Sequence, residues 1–144
     1  MPGLLSDVDP DGLLEYSVVF TDRSLNHMSK AFQGVMQDIS TTLKKVYNAA
    51  AVVLVPGGGT YGMEAVARQF ATGRRCLVVR NGWFSYRWSQ ILETGAITTD
   101  ITVMQARRAG EGPQAPFAPA PIGEVAARIA AEKPAVVFAP HVET

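Results

Sequence analysis

A glycine-rich segment near the middle of the chain most strongly constrains its fold and its function. The segment reads Val-Pro-Gly-Gly-Gly-Thr-Tyr-Gly-Met-Glu over residues 55–64. It follows an apolar run over residues 49–55, which predicts a buried strand, and it leads into residues 60–71, which predict a helix. Glycines allow a tight turn and a close approach of the backbone to a ligand. Because a helix N-terminus adds unpaired N–H donors and a partial positive charge, the segment predicts a site for a phosphate-bearing cofactor or substrate.

Two other interpretations of this segment stay open at the level of sequence. The segment also matches a simple tight connection between a strand and a helix that binds no ligand. It is not a P-loop, because no Lys follows the glycines, but Gly57, Gly59 and Gly62 have the spacing of a dinucleotide-binding fingerprint. The next predicted strand ends in Arg80 where an NAD site would have an acidic residue. An Arg there suits a 2′-phosphate, so an NADP-binding Rossmann-like module is the alternative.

Helical and extended patterns alternate along the chain. Residues 28–48 carry apolar side chains at steps of three and four, which predicts an amphipathic helix. The patterns that follow are strand 49–55, helix 60–71, strand 75–80, helix 86–94, an extended stretch over 97–104, a Gly- and Pro-rich loop or lid over 106–121, helix 122–132 and strand 135–139. Such alternation predicts an α/β fold, in which a mostly parallel sheet is covered by helices on both faces.

Three segments are expected at the ligand-binding edge of that sheet, beyond the carboxyl ends of its strands. They are residues 57–60, 81–84 and 141–144. Trp83 and Trp88 suit either a cofactor-stacking role or packing in a core or interface. Arg87 suits either an anionic ligand or a structural ion pair. His141 and Glu143 suit ligands or acid–base groups, and His141 equally suits a hydrogen bond at the end of a strand.

Composition excludes several classes of function. The 144 residues contain 13 Lys and Arg against 13 Asp and Glu, so no net charge draws the chain to nucleic acid or to an acidic membrane. The single cysteine, Cys76, excludes an internal disulfide and lies in an apolar strand, where it is expected to pack. No apolar run approaches the roughly 18 residues that span a bilayer, and the first residues lack the features of a signal peptide. These observations predict a cytoplasmic protein.

Several motifs, in order, resemble class V pyridoxal-phosphate-dependent aminotransferases, the relatives of alanine–glyoxylate and serine–glyoxylate aminotransferases. The motifs are Pro-Gly-Gly-Gly-Thr-x-x-Met-Glu-Ala over residues 56–65, Asn-Gly-x-Phe-x-x-Arg-Trp over 81–88 and Pro-His-x-Glu-Thr over 140–144. Residues 20–29 also resemble the N-terminal region of that family. The resemblance covers residues 16–144 and implies part of a fold-type-I large domain over residues 28–144, preceded by an N-terminal arm over residues 1–27.

The resemblance also implies which residues hold pyridoxal 5′-phosphate. Gly58, Gly59 and Thr60 would bind its phosphate through backbone N–H groups and the Thr hydroxyl, although many relatives have Ser in place of Gly58. Phe84 matches the aromatic residue that stacks on the pyridine ring. Glu143 and Thr144 match the motif near the cofactor's phenolic oxygen.

The family's chemistry needs two residues that this resemblance does not find here. These are the Lys that forms the Schiff base and the Asp that pairs with the pyridinium nitrogen. The four lysines, Lys30, Lys44, Lys45 and Lys133, are all expected on helices or helix ends at the surface. The resemblance therefore implies an N-terminal fragment of an enzyme that moves an amino group between an amino acid and a 2-oxo acid, and it implies that the fragment alone is inactive because the Schiff-base Lys is absent. No catalytic residue is assigned to the chain. A homo-oligomer is expected, since members of the family form homodimers. A non-catalytic interaction domain is a further alternative.

Overall fold

The computed structural model describes His27 and residues 29–143. The chain forms two compact units, Met1–Leu54 and Val55–Thr144. The predicted arm over residues 1–27 and the motif over residues 20–29 therefore fall almost entirely outside the described residues, as does Thr144.

The first unit contains one described helix, α1, over Lys30–Tyr47, as the periodicity predicts. Ser29 begins the helix, because its hydroxyl accepts a hydrogen bond of 3.0 Å from the backbone N–H of Phe32. Asn48 ends it in the left-handed conformation, with φ 47°. The last turn carries Lys44 and Lys45, whose charges favour the negative end of the helix dipole.

The second unit contains the sheet and three helices. Its elements, in chain order, are α2 (Gly59–Ala71), β1 (Cys76–Arg80), α3 (Trp83–Thr94), β2 (Ile101–Gln105), β3 (Arg107–Arg108), β4 (Phe117–Ala118), α4 (Ile122–Glu132) and β5 (Val136–Phe138). The helices predicted over 60–71 and 122–132 are observed at those positions, and the helix predicted over 86–94 begins earlier, at Trp83.

Three parallel strands form the main sheet, in the order β2-β1-β5. Leu77 on the central strand lies opposite Thr102 on one side and Val137 on the other. The predicted α/β class with a parallel sheet is therefore confirmed for the described residues. Because all three strands run the same way, the segments that follow β1, β2 and β5 meet at one edge of the sheet.

Side chains of β1 alternate between two apolar cores, one on each face of the sheet. Cys76 and Val78 pack on the face covered by α2 and α3. Leu77 and Val79 pack on the other face, against Ala120 and against Val125 of α4. α3 connects β1 to β2 on one face of the sheet, and the chain between β2 and β5 passes through α4 on the other face. Because these two connections move across the sheet in opposite directions on opposite faces, both have the same hand.

The single cysteine lies in the apolar core, where burial changes the pKa of its thiol. Cys76 is fully buried, and desolvation, with a smaller contribution from the Asp100 carboxylate, raises the pKa of its thiol. The packing role predicted for Cys76 is therefore what the fold shows. In the described part of the chain, no helix combines the length and the apolar character that crossing a bilayer requires.

The strand predicted over residues 49–55 is not present, and that prediction is wrong. Residues 51–55 form no strand in the described structure, and the side chain of Val53 is 82% exposed. The run crosses the boundary between the two units, which falls after Leu54. An apolar run favours burial, but a strand also needs a neighbouring backbone to pair with, and no described strand pairs with this run.

The predicted loop over residues 106–121 contains a short antiparallel hairpin. Arg107 of β3 lies opposite Ala118 of β4. The two terminal nitrogens of the Arg107 guanidinium donate hydrogen bonds of 3.0 and 2.6 Å to the two carboxylate oxygens of Glu124 on α4. This Arg107 contact holds the pKa of Glu124 below its usual range, and the pairing connects the hairpin to α4.

We expect Leu77→Ala to lower the free energy of unfolding by about 2–5 kcal/mol, because the fully buried side chain leaves a cavity under α4. Ile122→Ala is the matched control, since Ile122 is 87% exposed, and its effect should stay within about 0.5 kcal/mol. Urea denaturation followed by circular dichroism measures both. Equal effects of the two substitutions would contradict the assigned core.

Candidate functional site

The glycine-rich turn leads directly into the N-terminus of α2. Gly57 has φ 128°, a conformation that side chains disfavour, and a Cβ atom there would lie 2.3 Å from a ring carbon of Tyr61. Gly58 is the N-cap residue in an extended conformation and makes no side-chain capping hydrogen bond. Gly57 is thus required by the turn itself, whereas Gly58 leaves the start of the helix without a capping side chain.

The next two glycines leave the helix N-terminus open to approach. Apart from the adjacent residues and the backbone of α2 itself, a Cβ atom at Gly58 or at Gly59 would meet no atom within 4 Å, so tertiary packing within the described chain does not explain the glycines. The first turn of α2 also contains no acidic residue that would satisfy the helix dipole. These features suit an anion that approaches the backbone N–H groups closely.

Arg87 brings a positive charge to the same helix end. Its Nη1 atom donates a hydrogen bond of 2.8 Å to the Oγ1 atom of Thr60, the second residue of α2. Because the Thr60 oxygen accepts from Arg87, its own hydroxyl hydrogen remains able to donate to another group. Backbone N–H groups, a hydroxyl donor and a guanidinium therefore converge on the start of α2.

A second arrangement fixes the start of α3. The hydroxyl of the buried Ser85 accepts hydrogen bonds from the backbone N–H groups of Asn81, at 2.8 Å, and Gly82, at 3.0 Å. The Glu143 carboxylate accepts hydrogen bonds from the backbone N–H groups of Phe84, at 3.1 Å, and Ser85, at 2.7 Å. Glu143 therefore caps α3 and holds the segment after β5 against the first turn of this helix.

The aromatic candidates separate into two groups. Trp88 stacks on Phe138 of β5 at a centroid distance of 4.3 Å, next to the apolar core, so the packing interpretation applies to it. Phe84 and Trp83 lie at the start of α3 with side chains that are 39% and 55% exposed. Trp83 contacts the Tyr86 ring at 5.5 Å. The ring of Phe84 thus remains accessible at the edge of the sheet, where a stacking residue is predicted.

α3 connects the predicted site segments to one another. Its Arg87 contacts Thr60 of the glycine-rich segment, and its first turn contacts Glu143 of the C-terminal segment.

His141 is exposed and Thr144 lies outside the described residues. Ser85 was not predicted as a site residue, although a hydroxyl three residues after an Asn-Gly helix start is a recognisable capping signal. Among the described residues, no group of three or more His, Cys, Asp or Glu side chains is placed to hold a metal ion.

Comparison with known proteins adds no family to these observations: no protein-family model matches the chain, and no curated protein matches it.

We expect Glu143→Ala to lower the free energy of unfolding by about 1–3 kcal/mol, because two backbone N–H groups of α3 lose a charged acceptor. Glu111→Ala removes the same charge from an exposed position of the hairpin loop and should change stability by less than about 0.5 kcal/mol. Urea denaturation of both variants tests the capping role. A Glu143→Ala protein as stable as the Glu111→Ala protein would contradict it.

Proposed function

We propose that this chain holds pyridoxal 5′-phosphate as part of an aminotransferase that moves an amino group between an amino acid and a 2-oxo acid. The observation that carries the proposal is the N-terminus of α2, where a glycine-rich turn without a side-chain cap meets the Arg87–Thr60 hydrogen bond. The order of the motifs over residues 56–65, 81–88 and 140–144 supports this choice among phosphate-bearing ligands.

The phosphate would bind at the start of α2. Gly58 and Gly59 permit close approach to the backbone, and the Thr60 hydroxyl supplies a further donor. Arg87 sets the orientation of Thr60 and adds a positive charge, which a dianionic phosphate favours more than a neutral ligand does. The proposal therefore predicts that affinity depends on the phosphate group.

The ring of the cofactor would pack on Phe84. Glu143 acts on this residue through the backbone, because its carboxylate binds the Phe84 N–H group. With one carboxylate oxygen on Phe84 and the other on Ser85, we assign Glu143 a positioning role rather than direct contact with the cofactor. Thr144 remains proposed as a cofactor contact from the motif alone.

When bound in such enzymes, pyridoxal phosphate supplies an electron sink for reactions at the carbon that carries the amino group. The described residues of the second unit contribute binding and orientation to this chemistry. Their single lysine, Lys133, precedes β5 and so lies at the end of the sheet opposite to Phe84. We therefore assign no catalytic residue to this chain.

The dinucleotide alternative is less well supported by the geometry. Its fingerprint requires a strand, a glycine turn and a helix in one unit, and Gly57–Gly62 follow no strand in the described structure. The phosphate site proposed here needs only the helix N-terminus and Arg87. A non-catalytic interaction domain differs in predicting no stabilisation by either cofactor.

We expect pyridoxine 5′-phosphate to raise the thermal unfolding midpoint by about 4 °C at a concentration tenfold above its Kd. Pyridoxine, which lacks the phosphate, should raise it much less. The alcohol forms are used because they lack the aldehyde, which reacts with surface lysines. Differential scanning fluorimetry, with NADP as a third ligand, measures the shifts.

Arg87→Gln and Thr60→Val should each reduce the stabilisation by pyridoxine 5′-phosphate. Arg87→Gln removes the guanidinium that donates to Thr60, and Thr60→Val removes the hydroxyl that accepts from Arg87. Arg128→Gln is the matched control, since Arg128 lies on α4 in an ion pair with Glu132 and is not near Thr60. Stabilisation by NADP alone would support the dinucleotide alternative. No stabilisation by any of the three ligands would reject both cofactor proposals.

We also propose that the chain forms a homo-oligomer, because large apolar side chains are exposed in both units. They include Val46, Val53, Tyr61 and Phe70. Exposed apolar surface of this kind is typical of a surface that another chain covers. Size-exclusion chromatography with light scattering is expected to give a mass of at least twice 15.5 kDa. A monodisperse monomer at high protein concentration would reject the proposal.

A further inference from the structure

A shallow pocket of about 270 Å³, largely open to solvent, lies beyond the carboxyl ends of β1 and β2, and its lining includes neither Thr60 nor Arg87. Its lining includes Arg80, Asn81, Gly82, Tyr86, Gln105 and Phe117. This edge of a parallel sheet is where open α/β folds bind ligands. The volume falls just below the range of about 300–1,000 Å³ typical of small-molecule sites, so it suits a ligand of about one ring.

Arg80 gives the pocket a positive charge that no carboxylate neutralises. Its guanidinium carbon lies 5.4 Å from the centroid of the Tyr86 ring, and among the described residues it makes no ion pair. Four of the seven other arginines in the same unit pair with carboxylates. They are Arg68, Arg75, Arg107 and Arg128. Within the described structure, Arg74, Arg87 and Arg108 do not. A guanidinium over an aromatic ring still has N–H donors, and a carboxylate can accept two hydrogen bonds from them.

Two side-chain amides stand beside this charge. Asn81 follows Arg80 directly, and Gln105 ends the neighbouring strand opposite Arg80. Among the described residues, neither amide group has a hydrogen-bond partner, while the backbone N–H of Asn81 is bound by Ser85. Each amide offers both a donor and an acceptor to a polar ligand.

Aromatic rings supply the apolar part of the pocket. The Arg80 guanidinium lies over the Tyr86 ring, and the Arg108 guanidinium lies over the Phe117 ring at 5.4 Å from its centroid, while Phe117 is still 62% exposed. Flat aromatic faces favour planar ligands over branched ones. Charge, amides and rings together define one ligand chemistry, a planar body that carries a carboxylate.

We propose that this pocket binds a small aromatic carboxylate, with the carboxylate on Arg80 and the ring against Tyr86 and Phe117. This site does not depend on the phosphate site at α2, so either proposal stands if the other fails. The amides of Asn81 and Gln105 select among ring substituents. Benzoate is the simplest molecule with the required chemistry.

Titration of the ¹⁵N-labelled chain with benzoate tests the proposal by NMR. We expect a Kd of about 1 mM, with shifts in the side-chain amide signals of Asn81 and Gln105 and the backbone signal of Ala106. Benzamide, which lacks the charge, and acetate, which lacks the ring, should each bind at least about tenfold more weakly. Acetate binding as well as benzoate would overturn the aromatic part of the proposal, and benzamide binding equally well would overturn the carboxylate part.

Variants near the two ends of β1 test whether the Arg80 charge binds benzoate. Arg80→Gln should weaken benzoate binding at least about tenfold, and Arg80→Lys should weaken it less, because Lys keeps the charge without the planar pair of donors. Arg74→Gln removes the same charge near the amino end of β1 and should leave binding unchanged. Circular dichroism melts check that each variant is folded. Shifts that map elsewhere in the wild-type chain, or the same loss in Arg74→Gln, would overturn the site.

Discussion

The burial of β1 on both faces is the constraint on which the second unit depends. Its four residues from Cys76 to Val79 alternate between two cores, and almost none of their surface remains accessible. A strand buried in this way needs a paired backbone on each edge and a packed layer on each face, as parallel sheets covered by helices provide. β2 and β5 supply the neighbours, and α2, α3 and α4 supply the layers. Because β1 is central, the segment after it is brought beside the segments that follow the other two strands.

Hydrogen bonds between distant parts of the chain then shape the edge of the sheet. Glu143 and Ser85 are 58 residues apart, yet a carboxylate of one binds the backbone of the other and caps α3. Thr60 and Arg87 are 27 residues apart and connect α2 to the same helix. α3 is therefore the element through which the candidate site is held together, with its first turn facing Glu143 and its second turn facing α2. A charged acceptor at a helix N-terminus is favourable twice, through hydrogen bonds and through the helix dipole.

The two proposed sites use arginine in different ways, and the difference follows from what surrounds each guanidinium. Arg87 is committed to a hydroxyl at a helix N-terminus, where backbone donors already favour an anion rich in oxygen atoms. Arg80 lies over an aromatic ring beside two side-chain amides, where we propose that an aromatic carboxylate binds. The two proposals therefore differ in the anion that each arginine is expected to bind.

The sequence by itself determined the helices, the three paired strands and the α/β class, because apolar periodicity records which face of each element is buried. It also identified the glycine turn, Thr60, Phe84, Arg87 and Glu143 as residues of interest. It did not determine that residues 49–55 remain unpaired, because strand formation depends on a neighbouring backbone and not on apolar character alone. Nor did it determine that Glu143 caps α3 or that Arg87 binds Thr60. Those contacts join residues that are remote in the chain, and only the packing of the helices on the sheet brings them within hydrogen-bonding distance.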